Sequence, residues 1–327
     1  MVLEVVRIEE RVTQTCLPFG RPQLPRKQIA RAFIAKAVLN IPTTKDLVER
    51  LGVDSRLRRI CGFTGGVPSE STFSRALEEF SISGVLDQTL EANVRHHLGQ
   101  DIIHHVSHDS TALPAREQAV RKPKAKPKAK VERKQGKRRR KEYPLPPKVQ
   151  ELQELRTWQE SAAAFPSACD FGVKIGSMGF PSYWRGYKGH VSVGDGGVPL
   201  IFFTTSASMS DSLGAIPLMK AVSERTGQVF YNLFDRGYPG EPILRTAKAL
   251  DQVAIVAPKK NHKDQPASKM TPDRAKRFEN RTTVERFNSD LKDNHGGNFI
   301  FVRGAPKVHA HLMFGVLTIF ALRILRI

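Results

Sequence analysis

Phe278, Arg281, Glu285 and Lys292 are spaced along the segment FENRTTVERFNSDLKDN so that one helix would bring them together. At about 100° per residue, Phe278 and Lys292 lie seven positions either side of Glu285 and return close to its direction. Arg281, four positions back, shares that face, while Val284, Phe287 and Leu291 turn away and supply a core face. One carboxylate is thus offered between two cations and an aromatic ring. That layout suits a metal ion held against a phosphodiester: an oxygen ligand for the metal, cations for the phosphate. The same spacing also fits an exposed polar face with an ordinary Arg281–Glu285 ion pair.

Two aspartates upstream favour the chemical reading. Asp109, in HHVSHDST, and Asp235, in YNLFDRGYPG, each sit just past a strand-like apolar run. In α/β sheets the carboxyl ends of strands are where sites are placed. Taken singly, each Asp also reads as a turn or cap residue. Three carboxylates without a Cys/His ligand set make a hard-oxygen site for Mg²⁺ or Mn²⁺. Two such ions, roughly 3.5–4 Å apart, can activate an attacking oxygen and stabilise a leaving one at phosphorus. His105 and His108 flank Asp109, and strand alternation points them to structural roles.

The elements that must position these groups follow from the patterning. Residues 24–98 read as short helices: LPRKQIARAFIAKAVLN; TTKDLVERLG, capped by Thr43 or Thr44 and stopped by Gly52; LRRICGF; and VPSESTFSRALEEF, capped by Ser69 or Ser71. This suits a helix-turn-helix-like DNA-binding module, or equally an all-α packing domain. DIIHHV, RGYKGHVSVG, VPLIFFTTSA, VFYNLF and VAIVAP are strand candidates, with GDGG as a hairpin turn. Asp211 or Ser212 is a candidate cap for the helix that follows. Strands and helices then alternate, which gives a mixed five-stranded sheet flanked by helices. The expected division is residues 1–98, helical, and 99–327, α/β.

Composition supplies the partner. The 327 residues carry 52 Lys+Arg against 32 Asp+Glu, a formal charge of +20, which favours a polyanion such as nucleic acid. Between residues 116 and 141 there are 14 Lys and Arg against two Glu, Arg138, Arg139 and Arg140 among them. That run and the Pro-rich EYPLPP are expected to form a disordered basic linker at about 116–150. It is either a DNA-tracking tether, losing affinity steeply with salt, or a solvated spacer. Cys16, Cys61 and Cys169 form no CxxC pair and fit a reducing cytoplasm. Nothing in Met1–Glu10 reads as a secretory signal. His309, His311, Arg323 and Arg326 interrupt the apolar C-terminal run, so a buried core helix is expected there and no membrane partner.

Together these segments resemble the DDE transposases of bacterial insertion sequences, which have an RNase H-like catalytic core. The motif Tyr-x2-Arg-x3-Glu-x6-Lys stands here as Phe278-x2-Arg281-x3-Glu285-x6-Lys292. Further echoes are HDST, RGYKGHVSV, the SDS at 210–212, FDRGY, FVRGAPKVHAHL and the helical LRRICGF…VPSESTFSRALEEF. The resemblance covers nearly the whole chain outside the basic linker. It implies an RNase H-like catalytic domain preceded by an all-α domain, with Asp109, Asp235 and Glu285 as the metal-binding catalytic triad. It also implies two Mg²⁺ or Mn²⁺ ions, and DNA held by Arg281, Lys292 and Phe278, with Arg236 and the linker arginines as further contacts. DNA, both terminal inverted repeats and target, would be the partner, and a homodimer would join two ends in the nucleoid. Phe278 stands where the motif has Tyr, losing a hydroxyl but keeping a stacking ring. Only 49 residues separate Asp235 from Glu285, too few for the large β-rich insertion of some relatives. The competing expectations are a catalytically inactive DNA-binding descendant and an RNase H-like nuclease that cuts without strand transfer.

Overall fold

The computed structural model describes residues 1–13, 24–120, 148–175, 180–238, 240–258 and 270–326. Six helices come first: α1 (Val2–Val6), α2 (Arg26–Val38), α3 (Thr44–Val53), α4 (Ser55–Cys61), α5 (Glu70–Ser83) and α6 (Val85–Leu98). Local chemistry sets their limits. Thr43 and Asp46 close a capping box at the start of α3, which ties up otherwise unpaired N–H groups. Gly52, expected to stop this helix, lies within it. Asp54 ends it instead, because its carboxylate accepts from the Leu57 N–H and starts α4.

The α/β part follows: β1 (Ile103–Pro114), α7 (Val149–Leu155), α8 (Trp158–Ala163), β2 (Asp170–Ile175), β3 (Pro181–Val193), β4 (Pro199–Ser206), α9 (Ala215–Arg225), β5 (Val229–Phe234), α10 (Glu241–Ala249), β6 (Val253–Val256), α11 (Pro272–Phe278), α12 (Thr282–Asn294) and α13 (Ala305–Ile324). Five strands make the expected mixed sheet in the order β4-β3-β1-β5-β6, with β1, β5 and β6 parallel and β3 antiparallel to β1 and β4. This is an RNase H-like sheet. A sixth strand, β2, pairs with the first half of β3, so the sheet has six strands rather than five. β4 stops opposite Tyr187 and β1 opposite Gly186. Residues 181–185 therefore ladder with β2 alone, as a two-stranded ribbon beyond the sheet.

Gly172 holds that ribbon in place. A Cβ there would lie 2.3 Å from the Trp184 indole, whose Nε1–H donates to the Tyr187 carbonyl at 3.2 Å. Gly172→Ala is expected to displace the indole and destabilise the fold by about 1–3 kcal/mol, the usual cost of overpacking. Urea unfolding checks this; an unchanged midpoint would remove the contact from the packing.

The apolar C-terminal run forms the buried core helix expected of it. α13 packs against α2, α5, α6 and β4, and Phe314 stacks on Phe33 with ring centroids 5.1 Å apart. One continuous core therefore runs from the N-terminal helices to the sheet. Its length and composition would also allow a membrane crossing, but twelve of its residues, from Val308 to Ala321, are buried inside the protein. On the other sheet face, Phe234 packs with Ile216, Met219 and Ile243 of α9 and α10.

Both edges of the expected linker are anchored. Glu117 accepts hydrogen bonds from the Tyr187 hydroxyl and the Gly304 N–H, both at 2.7 Å, and the Val120 N–H donates to the Cys169 carbonyl. α7 begins at Val149. Residues 121–147, with Arg138, Arg139 and Arg140, lie outside the described residues, as does Cys16.

Candidate active site

Asp109 lies inside β1 rather than past its end. β1 pairs with β5 only as far as Ser107↔Leu233, but its ladder with β3 continues, pairing Asp109 with Val191. Asp235 follows β5 directly. The two carboxylates thus stand where adjacent parallel strands stop pairing, the place an α/β sheet offers a site. Asp235 is held by a tight turn in which its Oδ1 accepts the Gly237 N–H at 2.5 Å. A Cβ at Gly237 would come within 2.8 Å of that oxygen, so a larger residue there would have to shift the Asp235 carboxylate.

α12 crosses β1 and β3 and brings Glu285 to the same place. Asp109, Asp235, Glu285, Arg281 and Lys292 all line one cavity of about 530 Å³. Arg281 bridges two of the acids, with Nη1 2.5 Å from Glu285 Oε1 and Nη2 3.4 Å from Asp109 Oδ1. Burial pushes the Asp109 carboxyl up to about 6; Arg281 opposes the shift, and Asp235 and Asp211 add to it. Lys292 is shifted down by burial and by Lys174, with Asp109 pulling the other way.

The single helix expected across Phe278–Lys292 is broken. Phe278 ends α11, Glu279–Arg281 form a 3-10 turn, and α12 starts at Thr282. Side chains capture the carbonyls there: Thr283 and Ser107 hydroxyls donate to Asn280, Thr282 to Glu279, and Asn280 Nδ2 to Arg277. Such bonds compete with the helical ladder. As a result Phe278, half-buried, is not part of the cavity wall, and neither is Arg236, exposed in the turn after Asp235. The structure brings together five of the expected residues and leaves these two outside.

Three wall residues escaped sequence reasoning. Asn288, one turn beyond Glu285, donates from Nδ2 to Asp109 Oδ2 at 3.0 Å. Lys188, buried on β3, donates to Asp211 Oδ1 and to the Met209 carbonyl, both at 2.7 Å. Asp211 is therefore a cavity acid rather than the helix cap expected of it; the SDS echo was its one signal. His108, by contrast, is a core residue. It is wholly buried, stacked on Phe234, and bonded to Ser192 and Asn232 at 2.8 Å each.

Among the described residues, no three His, Cys, Asp or Glu side chains stand close enough to hold one ion. Arg281 occupies the gap between Asp109 and Glu285 instead. The donor set still fits Mg²⁺ or Mn²⁺: every candidate ligand is oxygen, and buried Asn288 Oδ1 has no hydrogen-bond partner. Asn288→Ala is expected to lower divalent-metal affinity about 10–100-fold, as loss of a residue that orients a ligand does. Mn²⁺ titration followed by electron paramagnetic resonance checks it; unchanged affinity would make the Asn288–Asp109 bond purely structural.

The RNase H-like sheet thus gathers its carboxylates where β1 and β5 stop pairing. Residues 103–320 match the family described as "Transposase DDE domain", and residues 2–79 match "Transposase domain (DUF772)". The chain belongs to the DDE transposase family and is a DNA transposase. No curated protein matches it.

Proposed function

We propose that the chain cuts DNA at the ends of an insertion sequence and joins the freed 3′-hydroxyl to target DNA. The observation that carries this reading is the convergence of Asp109, Asp235 and Glu285, from two strands and a helix, on one cavity. Asp109, Asp235 and Glu285 would hold two Mg²⁺ or Mn²⁺ ions. When bound, these supply Lewis-acid activation of the attacking oxygen and stabilise the leaving one. Asn288 holds the Asp109 carboxylate in place. Lys292, Lys188 and Lys174, all on the cavity wall, offset the charge of the phosphate that enters. In the first step a water oxygen bonds to phosphorus and the P–O3′ bond breaks, leaving a 3′-hydroxyl and a 5′-phosphate. In the second, that 3′-hydroxyl attacks a target phosphodiester and displaces another 3′-oxygen, so the number of phosphodiester bonds is conserved. The terminal inverted repeats would be the DNA bound, inside the nucleoid-bearing cytoplasm.

The test is cleavage of a plasmid carrying the gene's own flanks, with Mg²⁺, Mn²⁺ or chelator, and with Asp235→Ala as control. Metal-dependent breaks at the repeat ends and strand-transfer products, both absent in the variant, are expected. Breaks without joined products would leave a nuclease. Binding without breaks in any divalent metal would leave a DNA-binding descendant.

A further inference from the structure

The ribbon of β2 and the first half of β3 has two unlike faces. The inner one carries Trp184 and Lys174, which border the active-site cavity together with Val173 from the other face. On the outer one, Phe171 pairs with Arg185, Val173 with Tyr183 and Ile175 with Pro181, so these side chains share a face. They are exposed to an unusual degree: Phe171 58%, Val173 54%, Ile175 70% and Tyr183 72%, with Phe180 beside them at 75%. A two-stranded ribbon is marginal in water on its own, and a contiguous apolar patch of this kind marks an interaction surface.

The chemistry of the face selects its occupant. A surface that meets DNA carries cations, whereas among the described residues of this face Arg185 is the one cation, and its guanidinium donates to Gln118 at 3.0 Å. Among the segments outside the described residues, 121–147 and 259–269 hold only Val131, Tyr143 and Leu145 as large apolar side chains and 14–23 only Leu17 and Phe19, too few to cover the face. A second copy of a chain with charge +20 is repelled wherever charge is dense, and this face is where charge is sparse. Five such side chains bury about 500 Å² per protomer, or about 1,000 Å² in total, the size at which a specific interface begins. Among the described residues the outer edge of β2 has no strand partner, and edge strands pair readily with their own kind.

We propose that the Phe171–Val173–Ile175–Tyr183 face is the contact between two copies of this chain, related by a two-fold axis. Because the ribbon borders the cavity, pairing two ribbons brings two cavities into one assembly, one for each DNA end. The interface rests on the proposed transposition for its purpose, but not for its measurement.

The experiment is sedimentation equilibrium of the full chain, with and without a duplex bearing one of the gene's flanking ends. Wild type is expected to be a discrete dimer in at least one condition. Phe171→Lys combined with Ile175→Lys should weaken association at least about tenfold while circular dichroism and melting are kept. A control with lysine at Ile82 and Leu155, equally exposed but outside the ribbon, should remain dimeric. The milder pair Phe171→Ser and Ile175→Ser serves if the lysines unfold the ribbon. A wild-type monomer in both conditions, a dimer unaffected by the ribbon variants, equal loss in the control, or open-ended aggregates would each overturn the proposal. Reduced DNA affinity without a change in mass would assign the face to nucleic acid and overturn it too. A dimer that never cuts DNA would sustain the interface while sinking the proposed reaction.

Discussion

Glu285→Gln is expected to abolish metal-dependent strand cleavage, lowering its rate on the order of a thousandfold or more, while DNA binding and folding survive. The amide keeps the size of the carboxylate but turns one acceptor oxygen into an NH2 donor and removes the negative charge that a divalent ion needs from its ligand. Losing one charged ligand at a phosphoryl-transfer centre removes several kcal/mol of transition-state stabilisation. The structural cost is small by comparison. Glu285 has a 58% exposed side chain on the first turn of α12, and the amide oxygen can still accept from Arg281. The change is thus large in chemistry and slight in folding, which makes the variant informative. The measurement is single-turnover cleavage of an end-bearing duplex in Mg²⁺ and in Mn²⁺, beside a binding titration and a melting curve. Cleavage at the wild-type rate would remove Glu285 from the mechanism. Loss of binding together with cleavage would assign it to holding DNA through Arg281.

Arg281 makes a second use of the same variant. In the wild type it spans Asp109 and Glu285. Once Glu285 is neutral, Arg281 is left with Asp109, and that pairing should strengthen. The variant should therefore bind Mn²⁺ more weakly than the loss of one ligand alone explains.

Sequence patterning located the helix that carries Glu285, Asp235 at the end of its strand and the mixed sheet, because each rests on local periodicity. Asp235 lies where its strand pattern ends, and Val284, Phe287 and Leu291 form the buried face expected of them. The misses are non-local. Asp109 looked as though it followed a strand because the apolar run stops at Val106, yet pairing with β3 carries β1 on to Pro114. β2 was invisible because its alternating Phe171, Val173 and Ile175 face outward, so its pattern does not mark a core. Asp211 read as a helix cap until Lys188, 23 positions earlier, claimed its carboxylate. The break between Phe278 and Arg281 came from hydroxyls competing for carbonyls, one of them from Ser107 on another element. The basic run was legible as a composition shift, but its limits were not, since Glu117 is held by partners far along the chain.

Acid should unfold this protein well before its carboxylates are titrated out. Burial pushes His108, His190 and His311 each down to about 4, whereas an unfolded histidine titrates near 6.5. A depressed pKa means that the folded form binds the proton more weakly than the unfolded chain. Each histidine's contribution is complete above pH 6.5 and is lost progressively as pH falls towards 4. At the limit this costs about 3 kcal/mol per residue, and three together rival the whole stability of an ordinary domain. His309 works in the opposite sense. Asp87, 3.0 Å away, holds its proton and raises its pKa, so its contribution is present below 6.5 and fades as pH rises through the folded value. That bond ties α13 to α6, and its loss loosens the core on the alkaline side. Stability should therefore fall along an acid limb, where His97, also shifted down by burial, adds to the three and Asp109, raised by burial to about 6, opposes them. Urea unfolding at pH 7, 6, 5 and 4 measures the limb. His311→Gln keeps a donor for the Gly296 carbonyl that His311 now contacts at 3.0 Å but cannot be protonated. It should flatten the limb by about one proton; an unchanged slope would mean that the buried imidazole is not what acid attacks.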